Sequence, residues 1–143
     1  MLRWIAIGIA GAAAVAAWVL MRPVPDAPQT AGAPSVPSGQ AVTHLDTIQA
    51  VPGPEGLTFR FRFVAPAIAR QGGTVSAEAA QKDMEWLCQH YALPRLPKTG
   101  PVPEQVVISL SDRPMEFGAT NPDATQFFEA FRVEKDTCHW EAF

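Results

Sequence analysis

The chain has 143 residues, 48% of them apolar and 17% charged. Its formal net charge is −3, and residues 40–143 carry 9 Lys and Arg against 13 Asp and Glu. That length suits one domain with appendages. The acidic balance opposes nucleic acid as a partner, because phosphate-binding proteins need an excess of Lys and Arg.

The first element is the stretch "MLRWIAIGIAGAAAVAAWVLMRP". Trp4 to Met21 is an uncharged run of 18 residues between Arg3 and Arg22. A bilayer-spanning helix needs about 20 apolar residues. Trp4 and Trp18 lie toward its two ends, where interfacial aromatics sit. Residues 1–21 are therefore predicted to be a transmembrane signal-anchor. A cleaved signal peptide is the alternative, with Ala14-Val15-Ala16 as a small-x-small site. Cleavage there would leave an oddly apolar mature start. The amino terminus and Arg3 outweigh the lone Arg22, which favours an inside N-terminus and an exported C-terminal domain.

Residues 22–40, "RPVPDAPQTAGAPSVPSGQ", hold Pro, Ala, Gly and Ser and almost no large apolar residue. They are predicted to be a stiffened linker. The domain is expected over 41–143. "VTHLDTIQ" (42–49) reads as a short strand, and "VPGPEG" as a turn. "LTFRFRFV" (57–64) alternates with period two, with Leu57, Phe59, Phe61 and Phe63 on one face and Arg60 and Arg62 on the other. We read it as the central strand, its arginines pairing with acids such as Glu129 or Glu134. "TVSAEAAQKDMEWLCQHYAL" reads as a helix. Ser76 is its N-cap, and Ala80, Met84, Leu87, Cys88 and Tyr91 form one apolar stripe.

"QVVISLS" (105–111) is a strand with Val106, Ile108 and Leu110 on one face. "DRPMEFGATNPD" is an irregular connection. "ATQFFEAFRVEKDTCHWEAF" reads as a hairpin turning near Lys135-Asp136. Residues 122–131 also fit a helical start, so strand or helix stays open there, with strand preferred. The order gives an α+β fold. A small antiparallel sheet of four to five strands carries one main helix on one face, preceded by the N-terminal transmembrane helix.

Cys88, His90, Cys138 and His139 make a zinc ligand set on paper. Residues two apart on a helix, or adjacent on a strand, point apart, so neither local pair chelates one ion easily. An exported chain with two cysteines is expected to form one disulfide, Cys88–Cys138. Asp112 follows a strand and could act as an acid, and Ser109 or Ser111 as a nucleophile. No G-x-S-x-G surrounds either serine, and no histidine is placed as a base. Asp112 is read as a turn cap with Arg113 solvated. His44, His90 and His139 are spread over three elements. There is no phosphate loop or haem-attachment motif. No catalytic, metal or cofactor residues are assigned. Arg60, Arg62, Trp86, Asp112 and Arg113 form the candidate partner surface.

Four stretches carry a resemblance: "VPSGQAV", "GPEGLTFRFRFVAPAIAR", "ISLSDRP" and "TQFFEAFRVEKDTCHWEAF". Through them the chain from about Pro37 resembles an uncharacterised family of small exported proteins from Rhodobacter-like alphaproteobacteria. The resemblance implies a source and a compartment, but no activity or site. Some members carry an acetolactate synthase label. The residues oppose it, since the chain has no Gly-Asp-Gly and is far too short for a multidomain thiamine-diphosphate enzyme.

The expectation is a non-enzymatic, inner-membrane-tethered periplasmic domain that binds another envelope protein, possibly as an accessory subunit of a membrane complex. A periplasmic small-ligand-binding domain is the alternative. It would use a groove between helix and sheet, near Trp86 or the 112–118 loop.

Overall fold

The structure, a computed structural model, describes residues 33–53 and 56–142. The expected anchor, residues 1–21, and most of the expected linker lie outside the described residues. Among the described residues, no helix is long and apolar enough to cross a membrane.

Five strands form one sheet in the order β1-β2-β3-β4-β5. They are β1 (Thr43–Gly53), β2 (Gly56–Val64), β3 (Gln105–Ser111), β4 (Gln126–Glu134) and β5 (Thr137–Glu141). Among the described residues one α-helix, α1 (Ala77–Leu87), lies between β2 and β3 in sequence. Residues 122–131 contribute to β4 and contain no helix.

The sheet is mixed, which corrects the expected antiparallel sheet. β2 and β3 run parallel, while the other three pairings are antiparallel. Parallel neighbours require a crossover of a dozen or more residues. The segment 65–104, which holds α1, is long enough to provide it. The central strand is therefore β3, fully buried from Val106 to Ser111. β2 sits one place out.

The period-two reading of β2 puts Phe59, Phe61 and Phe63 on the helix-covered face. There they pack with Val106, Ile108, Leu110, Phe131, Met84 and Leu87. The register explains the match: Phe59 pairs with Val106, Phe61 with Ile108 and Phe63 with Leu110. Burying each such side chain contributes about 1.5–3 kcal/mol, which is what a sheet this small needs.

Helix α1 starts as its sequence dictates. The Ser76 hydroxyl accepts from the Ala79 N–H at 3.2 Å, and Glu78 lies in the first turn, where the dipole favours an acid. Its last turn widens into a π-helical turn, Cys88–Ala92.

The β4–β5 hairpin turns at Lys135 and Asp136, both with positive φ (49° and 60°). This is the backbone of a two-residue primed turn, whose twist matches that of the flanking strands. Cys138 on β5 then meets Cys88 and the disulfide is formed, with the two Cα atoms 6.2 Å apart.

The linker was expected to run to residue 40, but its end is part of the domain. Val36 is buried in the core. Ser38 and Gln40 donate to Asp83, a buried carboxylate on α1. A short polar segment docks here because it satisfies a charge that α1 carries inward.

Candidate functional site

The face of the sheet opposite α1 is built by the other half of each strand's alternation. Across it, register sets one row of side chains: Ile48, Arg60, Val107, Ala130 and Glu141. A second row places Arg62 between Asp46 and Ser109, followed by Phe128.

The two arginines differ in their surroundings. Arg62 is only 5% exposed. Its Nη1 pairs with Asp46 Oδ2 at 2.7 Å, and its Nη2 donates to the Met115 carbonyl. The expected partners Glu129 and Glu134 lie elsewhere. Glu129 is on the helix side, accepting from Trp140 Nε1 at 2.6 Å, and Glu134 pairs with Arg132. Asp46 takes their place because the β1–β2 register puts it opposite Arg62. The ion pair is thus partly buried rather than exposed.

Arg60 is half-buried and has no carboxylate partner among the described residues. Burial, and then the charge of Arg62, lower its pKa. Its companion is the ring of Phe117, which lies 5.6 Å from the Arg60 guanidinium carbon and 5.8 Å from that of Arg62. These are cation–π distances.

Phe117 comes from the β3–β4 connection, which Arg62 ties down through Met115. It overhangs a groove of about 610 Å³ on this face. The floor is Thr58, Arg60, Gln105, Val107 and Ala130. Val51, Pro52 and Gly53 line it from β1, Glu141 and Ala142 from the end of β5, and Phe117 and Phe128 along the flank of the Arg62 row. Val51, Phe117 and Phe128 are 42%, 60% and 53% exposed. Three of the five large apolar side chains that stand exposed among the described residues therefore surround one cavity.

The other polar groups of the floor are already engaged. Thr58 Oγ1 donates to Gln105 Oε1 at 3.3 Å, and Gln105 Nε2 donates to Glu141 Oε2 at 3.1 Å. Glu141 also faces Arg132 at 3.6 Å.

The remaining candidate residues lie apart from this groove. Trp86 is half-buried on α1, stacked on His90 with ring centroids 4.6 Å apart. Asp112 and Arg113 pair with each other at the end of β3, at 3.0 and 3.1 Å. The Arg113 hydrogen bond, helped by the Thr125 backbone, holds the Asp112 carboxyl below its usual range. A carboxylate held ionised and fully engaged is a poor proton donor. Ser111 Oγ donates to the Arg113 carbonyl at 2.8 Å. Among the described residues no group of three or more His, Cys, Asp or Glu is placed to hold a metal.

The sequence pattern of a family of unknown function, DUF6497, matches residues 13–143, which spans the whole described domain. The chain belongs to DUF6497. No curated protein and no solved structure matches it. The site of this DUF6497 chain must therefore be read from its own geometry. Sequence reasoning had placed Arg60 and Arg62 on one strand face. It also named the 112–118 loop, which carries Phe117, but set the groove between helix and sheet, whereas the groove lies on the helix-free face. It missed Val51, Phe128 and Glu141, whose approach to that face depends on strand order.

Proposed function

We propose that this DUF6497 chain is a non-enzymatic binding module of the cell envelope, tethered to the membrane by residues 1–21, with its domain in the periplasm. The uncharged run Trp4–Met21 and the proline-rich stretch after it support the tether. The Cys88–Cys138 disulfide suits an oxidising compartment. The observation that carries the binding function is the groove on the helix-free face, where exposed apolar side chains gather around one arginine that pairs with no acid among the described residues. Small-molecule sites are mostly apolar clefts of about 300–1,000 Å³ with a few placed polar groups, and the groove fits that description.

An envelope-protein partner is the second reading. Its support is β5, which lies at the sheet's edge and presents Trp140 half exposed. Strand edges and exposed aromatics are common anchors for partners.

Photo-crosslinking in intact cells separates these readings. A benzoylphenylalanine at position 128 is expected to form an adduct, and one at position 86 none. Adducts from position 86 alone would overturn the groove as the binding site. A protein adduct from position 140, with none from 128, would favour the second reading.

A further inference from the structure

We propose that the groove takes a long-chain carboxylate, its single anionic head on Arg60 beneath Phe117 and its apolar tail along the floor toward β5. This rests on the reading of the groove as a binding site.

The head group follows from charge. Arg62 is neutralised by Asp46, so it offers no second cation. Arg60 is the one floor cation without an acid among the described residues. A guanidinium takes a carboxylate through two parallel hydrogen bonds. A doubly charged phosphate would leave an uncompensated charge between apolar walls. The orientation follows from register. Arg60 and Glu141 stand on one row, with Val107 and Ala130 between them. Glu141 repels an anion from the far end.

The tail follows from what the floor cannot do. Gln105 is already hydrogen-bonded to Thr58 on one side and Glu141 on the other. An extended peptide brings one N–H and one C=O per residue, each needing a partner if buried. This floor has few to give. A hydrocarbon chain needs none, and it gains about 0.8 kcal/mol for each buried methylene. From Arg60 on β2 to β5 the groove crosses three strand gaps, about 14 Å at about 4.8 Å per gap, which suits a long, thin ligand.

The test uses the full chain in its native membranes. Membranes are exposed to a palmitic acid bearing a diazirine and an alkyne, or to the matching hexadecanol, then irradiated. Label from the acid is expected on the segments holding Val107, Phe117 and Phe128, and excess palmitate should compete it away. Arg60→Gln should lower that labelling about ten-fold or more, as expected for loss of a charge-assisted hydrogen bond. Arg60→Lys should retain part of it, and Phe117→Ala should lower it without touching the core. Retention of the Cys88–Cys138 disulfide in each variant checks folding. The carboxylate assignment is overturned if acid and alcohol label equally, if Arg60→Gln labels like the parent, or if the groove takes no label. A protein adduct from position 128 without fatty-acid labelling would overturn the carboxylate and leave the binding-module reading standing. No adduct from either probe would overturn both.

Discussion

The buried carboxylate of Asp83 accepts two hydrogen bonds from one residue, Ser38: the backbone N–H at 2.9 Å and the hydroxyl at 2.5 Å. Gln40 Nε2 adds a third at 2.6 Å. The contact staples the segment before β1 onto α1, across 45 residues of sequence. Asp83→Ala should destabilise the domain by about 2–3 kcal/mol, because it removes three hydrogen bonds to a charged acceptor. Ser38→Ala should cost about 1 kcal/mol, because it removes only the hydroxyl's bond. Urea denaturation checks both. A lowered midpoint with an unchanged slope is the expected result.

Gln89 lies beside the disulfide and reinforces it. Its Oε1 accepts from the Cys138 N–H at 3.1 Å, and its Nε2 donates to the Asp136 carbonyl at 3.1 Å. The link closes a loop with a sequence separation of 50. Chain entropy assigns it about 4 kcal/mol. Cys88→Ala with Cys138→Ala should show a loss of that order, and Gln89→Ala about 1 kcal/mol. Denaturation with and without reductant measures the first: the parent should fall to the double variant's midpoint, and the variant should not move.

His44 gives the domain a pH-dependent stability. Its ring lies 5.5 Å from those of Phe63 and Tyr91, and its Nε2 bonds Thr47 Oγ1 at 2.8 Å. Burial, outweighing nearby Asp46, lowers its pKa from the ordinary 6.5. The unfolded chain then binds the proton more readily than the folded one. Stability is full above about pH 6.5 and declines as pH falls from there through the folded-state value. Asp112, also lowered, acts near and below pH 4, outside this window. His44→Gln should remove the slope that sets in below about pH 6.5, as read from denaturation midpoints across pH.

The two faces of β2 should separate by mutation. Phe61 is buried in the core, so Phe61→Ala should cost about 3–5 kcal/mol. Arg60→Ala should leave stability within about 0.5 kcal/mol. Arg62→Ala should cost about 1–2 kcal/mol, since it removes a half-exposed ion pair and the tie to Met115. The same change should speed protease nicking in the 113–125 connection, because exposed loops that lose their anchors are cleaved first. Equal nicking of parent and variant would show that Arg62 does not hold that loop.

Much of this protein was legible in its sequence because the relevant signals are local. The alternation of Phe59, Phe61 and Phe63 marked a strand and its buried face. Ser76 and the stripe from Ala80 to Tyr91 marked α1. Lys135-Asp136 marked a tight turn, and two cysteines in an acidic, exported-looking chain marked a disulfide. Each follows from backbone periods of 2 or 3.6 residues, or from the chemistry of one or two side chains.

Only the tertiary structure decided what those elements meet. The crossover through α1 made β2 and β3 parallel and moved the centre of the sheet to β3. Register set Asp46 against Arg62 and put Arg60 in one row with Glu141. The path of the β3–β4 connection brought Phe117 over that row, and Asp83 drew Ser38 and Gln40 out of an apparent linker. These are pairings between distant parts of the chain, settled by which arrangement buries the apolar faces and satisfies the buried charges together. No local pattern encodes that choice, and the groove is its product.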